Sequence, residues 1–398
     1  MHFLKYHGKV TLVPRFPSLR GKGLLFLLFI WFIWFMNFNG RTLFSPILPL
    51  IEDEFGITHA RAASIFTFIS LGYGLALFSS GMVSGFLGSK RTVLASLVTA
   101  GCIFFLVSTI NTFNLFYPVV FVLAFALGVY LPTIIPIITE YYPEKDWGKA
   151  IAIHESASSL SIFAAPFIAL FLLSFFSWRL IFIVVGGILL VCALGFQLAA
   201  TDIYLGENRR AFPGALMKRQ SVWIMGVLWI FCSGCVLGLY FVLPLYLVKE
   251  LGMTVQYANS IFGLSRFGMV LVAIAAGFFV DRVSLKKGLF LVMLATGLMT
   301  MLLAMKDTHW IKSLLFVQAT ISGAFPPLAL VAISRMFDRE TRGQATGFVV
   351  TVGMVGTGII PYLIGLTGDL SSFRLGIFLL GLCTALASSL LHFLKELA

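Results

Sequence analysis

Ala63-Ser64-Ile65-Phe66, followed by Gly81 and then Gly88-Ser89-Lys90-Arg91, is met again 196 positions on. The second copy reads Asn259-Ser260-Ile261-Phe262, then Gly277, then Asp281-Arg282-Val283-Ser284-Leu285-Lys286-Lys287. Each copy opens an apolar run of membrane length and closes it with basic residues. A second set recurs at an offset of 195: Gly148, Ala150, Pro166 and Arg179 return as Gly343, Ala345, Pro361 and Arg374. The pattern is that of one helical bundle duplicated. Duplicated membrane bundles usually carry a solute through the cleft between their halves.

Composition agrees. The chain is 59% hydrophobic and 11% charged, against about 45–50% and about 25% in soluble domains. Roughly 20 apolar residues cross the hydrocarbon as a helix, and that rule places twelve spans. They fall near 23–51, 60–83, 91–110, 114–140, 148–174, 177–200, 221–247, 256–280, 288–305, 310–335, 343–367 and 373–394. The expected fold is all-α and integral to the membrane, with twelve transmembrane helices in two pseudo-symmetric six-helix bundles. Residues 1–22 are a basic tail, 23–200 and 221–398 the bundles, and 201–220 the polar linker between them. The tail lacks a small-residue cleavage site, and the apolar run after it is too long for a signal peptide. Short loops leave no room for a soluble catalytic domain.

With both termini on one side, that side holds twenty Lys and Arg, from Lys5 to Lys395. The other holds six: Arg61, Arg179, Lys249, Lys306, Lys312 and Arg374. Basic loops stay in the cytoplasm, so both termini are expected there, in a plasma (inner) membrane. The net charge of +12 then reflects topology and contact with anionic lipid, and implies no nucleic-acid partner. All five cysteines fall within spans. Cys232 and Cys235 form a C-x-x-C that places two small apolar side chains on one helix face. No metal or cofactor motif and no Ser/His pairing occurs in the spans, so neither a cofactor nor an enzymatic activity is expected.

Charges at mid-membrane are costly and suggest function. Arg41 lies about 16 Å from the outer end of its span and Arg266 about 15 Å from the outer end of its own. Two guanidiniums from opposite halves at one depth make an anion site, because the planar fork of Arg matches a carboxylate. Glu155 is the acid inside a span, with His154 beside it. Burial disfavours its charged form and a nearby Arg favours it, so Glu155, and secondarily His154, are candidates for carrying a proton. Adjacent residues point about 100° apart on a helix, so the two are expected on different faces. Asn37, Asn39, Tyr73, Tyr130, Tyr240 and Gln318 offer further hydrogen-bonding groups to a substrate, or tie helices together. Pro166, Pro361 and Pro326-Pro327 are expected to kink or locally open their spans.

Six plus six helices, a central polar loop and basic, Gly-led loops after helices 2 and 8 resemble the major facilitator superfamily over residues 23–395. The loop signature of that family matches at Gly277, Asp281, Arg282, Lys286 and Lys287, and in part at Gly81, Gly88, Lys90 and Arg91, with Gly85 where an acid belongs. The resemblance implies a conformational latch made by Gly81, Gly88, Arg91, Gly277, Asp281 and Arg282. Asp281 would meet the start of helix 5 near Lys149, and the mirror-image latch would be weakened by Gly85. Asn39-Gly40-Arg41-Thr42-Leu43-Phe44-Ser45-Pro46 resembles helix 1 of the anion:cation symporter branch, with Gly40 in place of an Asp that often serves proton coupling. The exporter glycines of helix 5 are missing around Pro166, as are the Gly-Asn signatures of nitrate carriers.

Together these features predict a secondary active transporter for a small organic anion, preferably a carboxylate. It would work by proton-coupled symport (or with sodium), surrounded by membrane lipid and, by family default, monomeric. The alternative is an exporter of drugs or of amphipathic, lipid-like substrates on the same fold. A transport-derived receptor finds no signalling domain in this sequence.

Overall fold

The computed structural model describes residues 15–201, 216–269, 271–272, 284–305, 310–338 and 341–394, and the backbone of a short antiparallel pair, Lys5–Tyr6 with Lys9–Val10. Among these residues eleven helices are long and apolar enough to cross a membrane: α1 Lys22–Phe55, α2 His59–Leu87, α3 Ser89–Ser108, α4 Phe113–Tyr141, α5 Glu144–Leu173, α6 Trp178–Ala199, α7 Gln220–Lys249, α9 Leu285–Leu302, α10 Ile311–Met336, α11 Arg342–Leu370 and α12 Phe373–Phe393. Between α7 and α9 lies α8, Val255–Ser265, where a span over 256–280 is expected; residues 273–280 are outside the described set. Several helices overrun the apolar runs that predict them: α1 continues through Glu52-Asp53-Glu54. Hydropathy marks the hydrocarbon, whereas a helix ends where a cap or a turn stops it. Gly56 does so for α1 at φ +56°, and Gly88 for α2 at φ +80°, a region that glycine enters without steric cost.

The same helix pairing occurs in both halves of the chain. α1 packs on α5, α2 on α4 and α3 on α6; α7 packs on α11, α8 on α10 and α9 on α12. The side-chain contacts recur as well. Glu54 at the end of α1 pairs with Arg179 and accepts from Trp178 Nε1 (2.6 Å) at the start of α6. Glu250 after α7 pairs with Arg374 (3.0 Å) and accepts from Phe373 N (2.6 Å) at the start of α12. The Arg179/Arg374 repeat read from the sequence is thus a repeated ion pair.

Several helices are interrupted near their middles, and proline explains most of the breaks. A proline at position i lacks the N–H that would bond residue i−4 and clashes with its carbonyl. α1 turns at Leu43, beside the Thr42 carbonyl that Pro46 leaves unbonded. α4 breaks at Val129, next to the carbonyl freed by Pro132. α10 breaks at Gly323-Ala324 before Pro327, and α11 at Gly358-Ile359 before Pro361. α7 carries a π-helical segment over Gly234–Gly238, and α8 turns at Arg266. Other prolines are absorbed without a break: Pro49, Pro136 and Pro244 lie inside continuous segments, and α5 runs unbroken from Trp147 to Leu173 through Pro166. The expected kinks are therefore present on α10 and α11, while α5 absorbs its proline.

All four crossing ends that carry the termini and the linker lie on one side, here the terminal end; the other is the far end. Among the described residues, every hydrogen bond and ion pair between 15–201 and 216–394 lies from mid-membrane to the far end. Ser45 Oγ donates to Tyr240 O (2.7 Å), Asn259 Nδ2 to Pro46 O (3.0 Å) and Thr67 Oγ1 to Gly358 O (2.8 Å). Lys249 pairs with Asp53 and with Glu52 (3.3 Å), and Glu52 also meets His59 Nδ1 (2.8 Å). Asp369 accepts from the backbone N–H groups of His59 (2.8 Å) and Ala60 (2.9 Å). The far end is closed.

Glycine makes that closure possible. A Cβ on Gly365 would sit 2.8 Å from His59 O and 2.9 Å from the Ala60 backbone. Gly85, near the terminal end of α2, meets nothing within 4 Å, and Met82 and Phe86 beside it are 79% and 89% exposed. Gly365→Ala is therefore expected to lower unfolding stability by about 1–3 kcal/mol through overpacking against backbone that cannot yield. Gly85→Ala should leave stability unchanged or slightly raised. A thermal-shift comparison in detergent checks both, and equal midpoints would mean that the α2–α11 contact is loose.

Candidate functional site

Arg41 occupies the last turn of α1 before the break at Leu43 and is buried. Its guanidinium lies 3.8 Å from the ring centroid of Tyr73 on α2 and 4.4 Å from that of Phe38, and its Nε has no hydrogen-bond partner. Tyr73 can lie there because Gly128 of α4 packs against it; a Cβ on Gly128 would be 3.0 Å from Tyr73 Cδ2. Sequence reading chose Arg41 and Tyr73 separately, and the structure brings them into contact.

Arg266 sits at the turn that ends the first segment of α8 and is only 1% exposed. Nε and both terminal nitrogens of its guanidinium lack a partner. Tyr240 and Phe262, themselves 4.5 Å apart, hold their ring centroids 5.3 and 5.4 Å from it. Tyr240 links this group to α1: its carbonyl accepts from Ser45, one turn beyond Arg41, and its hydroxyl donates to Ile162 O (3.3 Å) on α5. The two arginines thus stand on elements that meet at Tyr240.

Magnitudes decide what these arginines are doing. Removing a lone cation from water costs on the order of several kcal/mol, whereas a cation–π contact returns about 0.5–2 kcal/mol. No described acid lies within ion-pair distance of either residue. The aromatic rings therefore offset only part of the cost, and Nε of Arg41 and all three guanidinium nitrogens of Arg266 remain available to an anion.

A second polar group lies at the junction of α1, α4 and α5. The His154 ring is fully buried, stacked on Trp34 (5.9 Å, 10°) and Tyr130 (6.0 Å, 22°). His154 Nδ1 is 3.2 Å from Glu155 Oε1, and its Nε2 is 3.4 Å from the Tyr130 hydroxyl, which donates to Ile30 O (3.1 Å). The Glu155 side chain is 40% exposed. The two neighbours thus take different faces, as helix geometry requires, yet the imidazole reaches back to the carboxylate. Glu155 is within electrostatic range of both Tyr130 and Tyr73, which ties this group to Arg41.

The other candidates are placed elsewhere. Asn39 lines a lateral apolar cavity of about 660 Å³ between α1, α5 and α6 with Phe32, Met36, Phe163 and Phe167, and donates to Phe35 O (2.8 Å). Asn37 donates to Leu127 O (3.1 Å) on α4. Gln318 joins three helices through Cys235 O (3.0 Å) and Thr300 Oγ1 (3.2 Å). Asn37 and Gln318 tie helices together, whereas Asn39 bonds within α1; each of the three leaves its carbonyl oxygen unpartnered. Of the residues named for a latch, Gly81 and Arg91 are exposed and Gly88 forms the α2–α3 turn. Gly277, Asp281 and Arg282 lie outside the described residues. Sequence reading missed Phe38, Phe262 and Trp34, hidden among 41 Phe and seven Trp, and also missed Asp369. A signal for Asp369 existed: an acid just past the end of a span, on the side where Thr58-His59 opens another.

Comparison with known proteins places the fold in a family. The Bacillus subtilis hexuronate transporter is 21% identical, covering 91% of this chain and 92% of its own length. The chloramphenicol resistance protein CraA of Acinetobacter baumannii is 24% identical over 71% of this chain and 70% of its own. A bacterial homologue of the human lysosomal transporter Spinster, solved in an inward-facing and occupied conformation, superposes with a TM-score of 0.79 at 14% identity, over 93% of this chain and 96% of that one. The model of the Major Facilitator Superfamily matches residues 30–305 and again 231–397. With a repeated helix pairing, broken central helices and this match over nearly its whole length, the chain is a multi-pass membrane transporter that belongs to the Major Facilitator Superfamily.

Proposed function

We propose that the chain is a secondary active transporter that moves a small organic anion, a carboxylate by preference, by alternating access and in symport with a proton held on Glu155. The observation that carries this reading is Arg266: a cation 1% exposed, with none of its three guanidinium nitrogens partnered. Its counterpart Arg41 lies on the other half of the repeat, and the hexuronate carried by one relative is itself a carboxylate. The recurrence of helix pairs supports two six-helix bundles over 23–200 and 221–398, joined through 201–220. The distribution of Lys and Arg supports cytoplasmic termini in a plasma (inner) membrane. The far end then faces outward, and the closed state is inward-facing. The Asp281 loop would latch the terminal end in the opposite state.

A second reading is export of an amphipathic compound. The lateral cavity between α1, α5 and α6 and the likeness to CraA favour it. Uptake of labelled carboxylates into proteoliposomes, with and without an inward proton gradient, separates the two. Uptake of the best substrate is expected to fall to background in Arg41→Gln and Arg266→Gln. Glu155→Gln should lose the response to the gradient but retain exchange. Indifference to both Arg changes would remove the anion reading and put the exporter first.

A further inference from the structure

The charge count of the buried site goes beyond "an anion", and it rests on the reading just proposed. Arg41 and Arg266 contribute two positive charges with no described acid in contact. Glu155 contributes one negative charge within electrostatic range of Tyr73, on whose ring Arg41 lies. The other titratable groups facing Glu155 are His154 on its own helix and Tyr130 on α4. Counted as formal charges, the two arginines and Glu155 sum to about +1.

We infer that the site is built for a dianion, with one acid group for each guanidinium, and that the second negative charge is what obliges a proton to travel. A monoanion would neutralise the empty site with Glu155 still ionised, so no proton would be drawn in. A dianion overshoots by one charge, and a proton on Glu155 restores balance. Moving an uncompensated charge through the hydrocarbon is costly, so the balanced complex is the one that crosses. Unpartnered donors accompany this charge: none of the three Arg266 guanidinium nitrogens has a hydrogen-bond partner, and neither has Nε of Arg41.

The test uses the full chain in proteoliposomes at pH 7. The dicarboxylates fumarate, succinate and adipate are set against the monocarboxylates lactate, pyruvate and benzoate, as labelled substrates and as competitors. Dicarboxylates are expected to compete roughly tenfold or more better, since a monoanion leaves one guanidinium unpaired. Their uptake should rise with an inward proton gradient, while any monocarboxylate uptake ignores it. In Glu155→Gln the dicarboxylates should exchange without responding to the gradient, and monocarboxylate uptake should fall. Equal competition by the two classes, or monocarboxylate uptake driven equally by protons, overturns the dianion inference and leaves anion transport standing. Absence of any Arg41-dependent carboxylate uptake overturns the proposed function itself.

Discussion

Replacing Arg266 with Met is expected to stabilise the substrate-free protein and at the same time to abolish its transport. The two effects have one cause. In the empty state the guanidinium is buried with three unpartnered nitrogens, and two rings beyond 5 Å return less than its desolvation costs. Met has a similar length, no charge and enough flexibility to fill the space. Exchanging buried ionic groups for apolar ones of similar volume often stabilises by about 1–4 kcal/mol, so the unfolding midpoint should rise. Uptake should fall by at least about a hundredfold, because an arginine–carboxylate fork worth several kcal/mol is gone. Wild type should gain thermal stability on adding substrate, and the variant should not. Arg374→Met is the control: its partner Glu250 is present, so that substitution should destabilise. An Arg266→Met variant less stable than wild type would mean that the cation is already compensated, and the anion site would lose its physical basis.

Such a trade of stability for function is the ground on which the candidate site was chosen from the sequence. A charge deep in an apolar span is visible in a single sequence because hydrocarbon makes it improbable without a role. Arg41, Arg266 and Glu155 were found on that ground alone. Tyr73 and Tyr240 were named as general hydrogen-bonding groups, and in the structure their rings also lie against the two guanidiniums. No periodicity reveals this, since it depends on how α2 and α7 approach α1 and α8. Asn39 is placed apart from this group. It lies two residues from Arg41, about 200° away around the helix, and so lines the lateral cavity instead.

The fold was more legible than the site. The spans seen among the described residues and the duplication follow from hydropathy and repeats, which are local properties of the chain. The breaks were less so. Pro361 and Pro326-Pro327 were recognised as openings, but Pro46 and Pro132, which set the turns beside Arg41 and Tyr130, passed as ordinary helix residues. Pro166 was expected to behave like Pro361, yet α5 remains continuous. The gate could not be read at all, because Asp369 and His59 are 310 residues apart and only tertiary packing joins them.

That gate carries the second large effect. Asp369→Asn is expected to shift the protein toward a state open at the far end. The first N–H groups of a helix have no partner within it, and in α2 those of His59 and Ala60 are taken by the two carboxylate oxygens of Asp369. The negative charge also complements the positive end of the helix. Asparagine keeps one acceptor and turns an NH2 group toward an N–H, so one bond is lost and the charge with it. Losing a charge-assisted hydrogen bond costs about 2 kcal/mol, or roughly a thirtyfold change in the closed-to-open ratio. Contacts of Lys249 with Asp53 and Glu52 and the close packing at Gly365 remain, so the shift should be partial. The reporter is Ser70→Cys, a small change at a side chain 4% exposed that packs against Gly358. In a background without other cysteines, a membrane-impermeant maleimide added from the far side should label it at least about tenfold faster in Asp369→Asn than with Asp369 intact. Substrate affinity measured from the terminal side should weaken as the closed population falls. Unchanged labelling with unchanged affinity would reduce Asp369 to a local helix cap, and the far-end closure would then rest on the ion pairs of Lys249 and the glycine contacts alone.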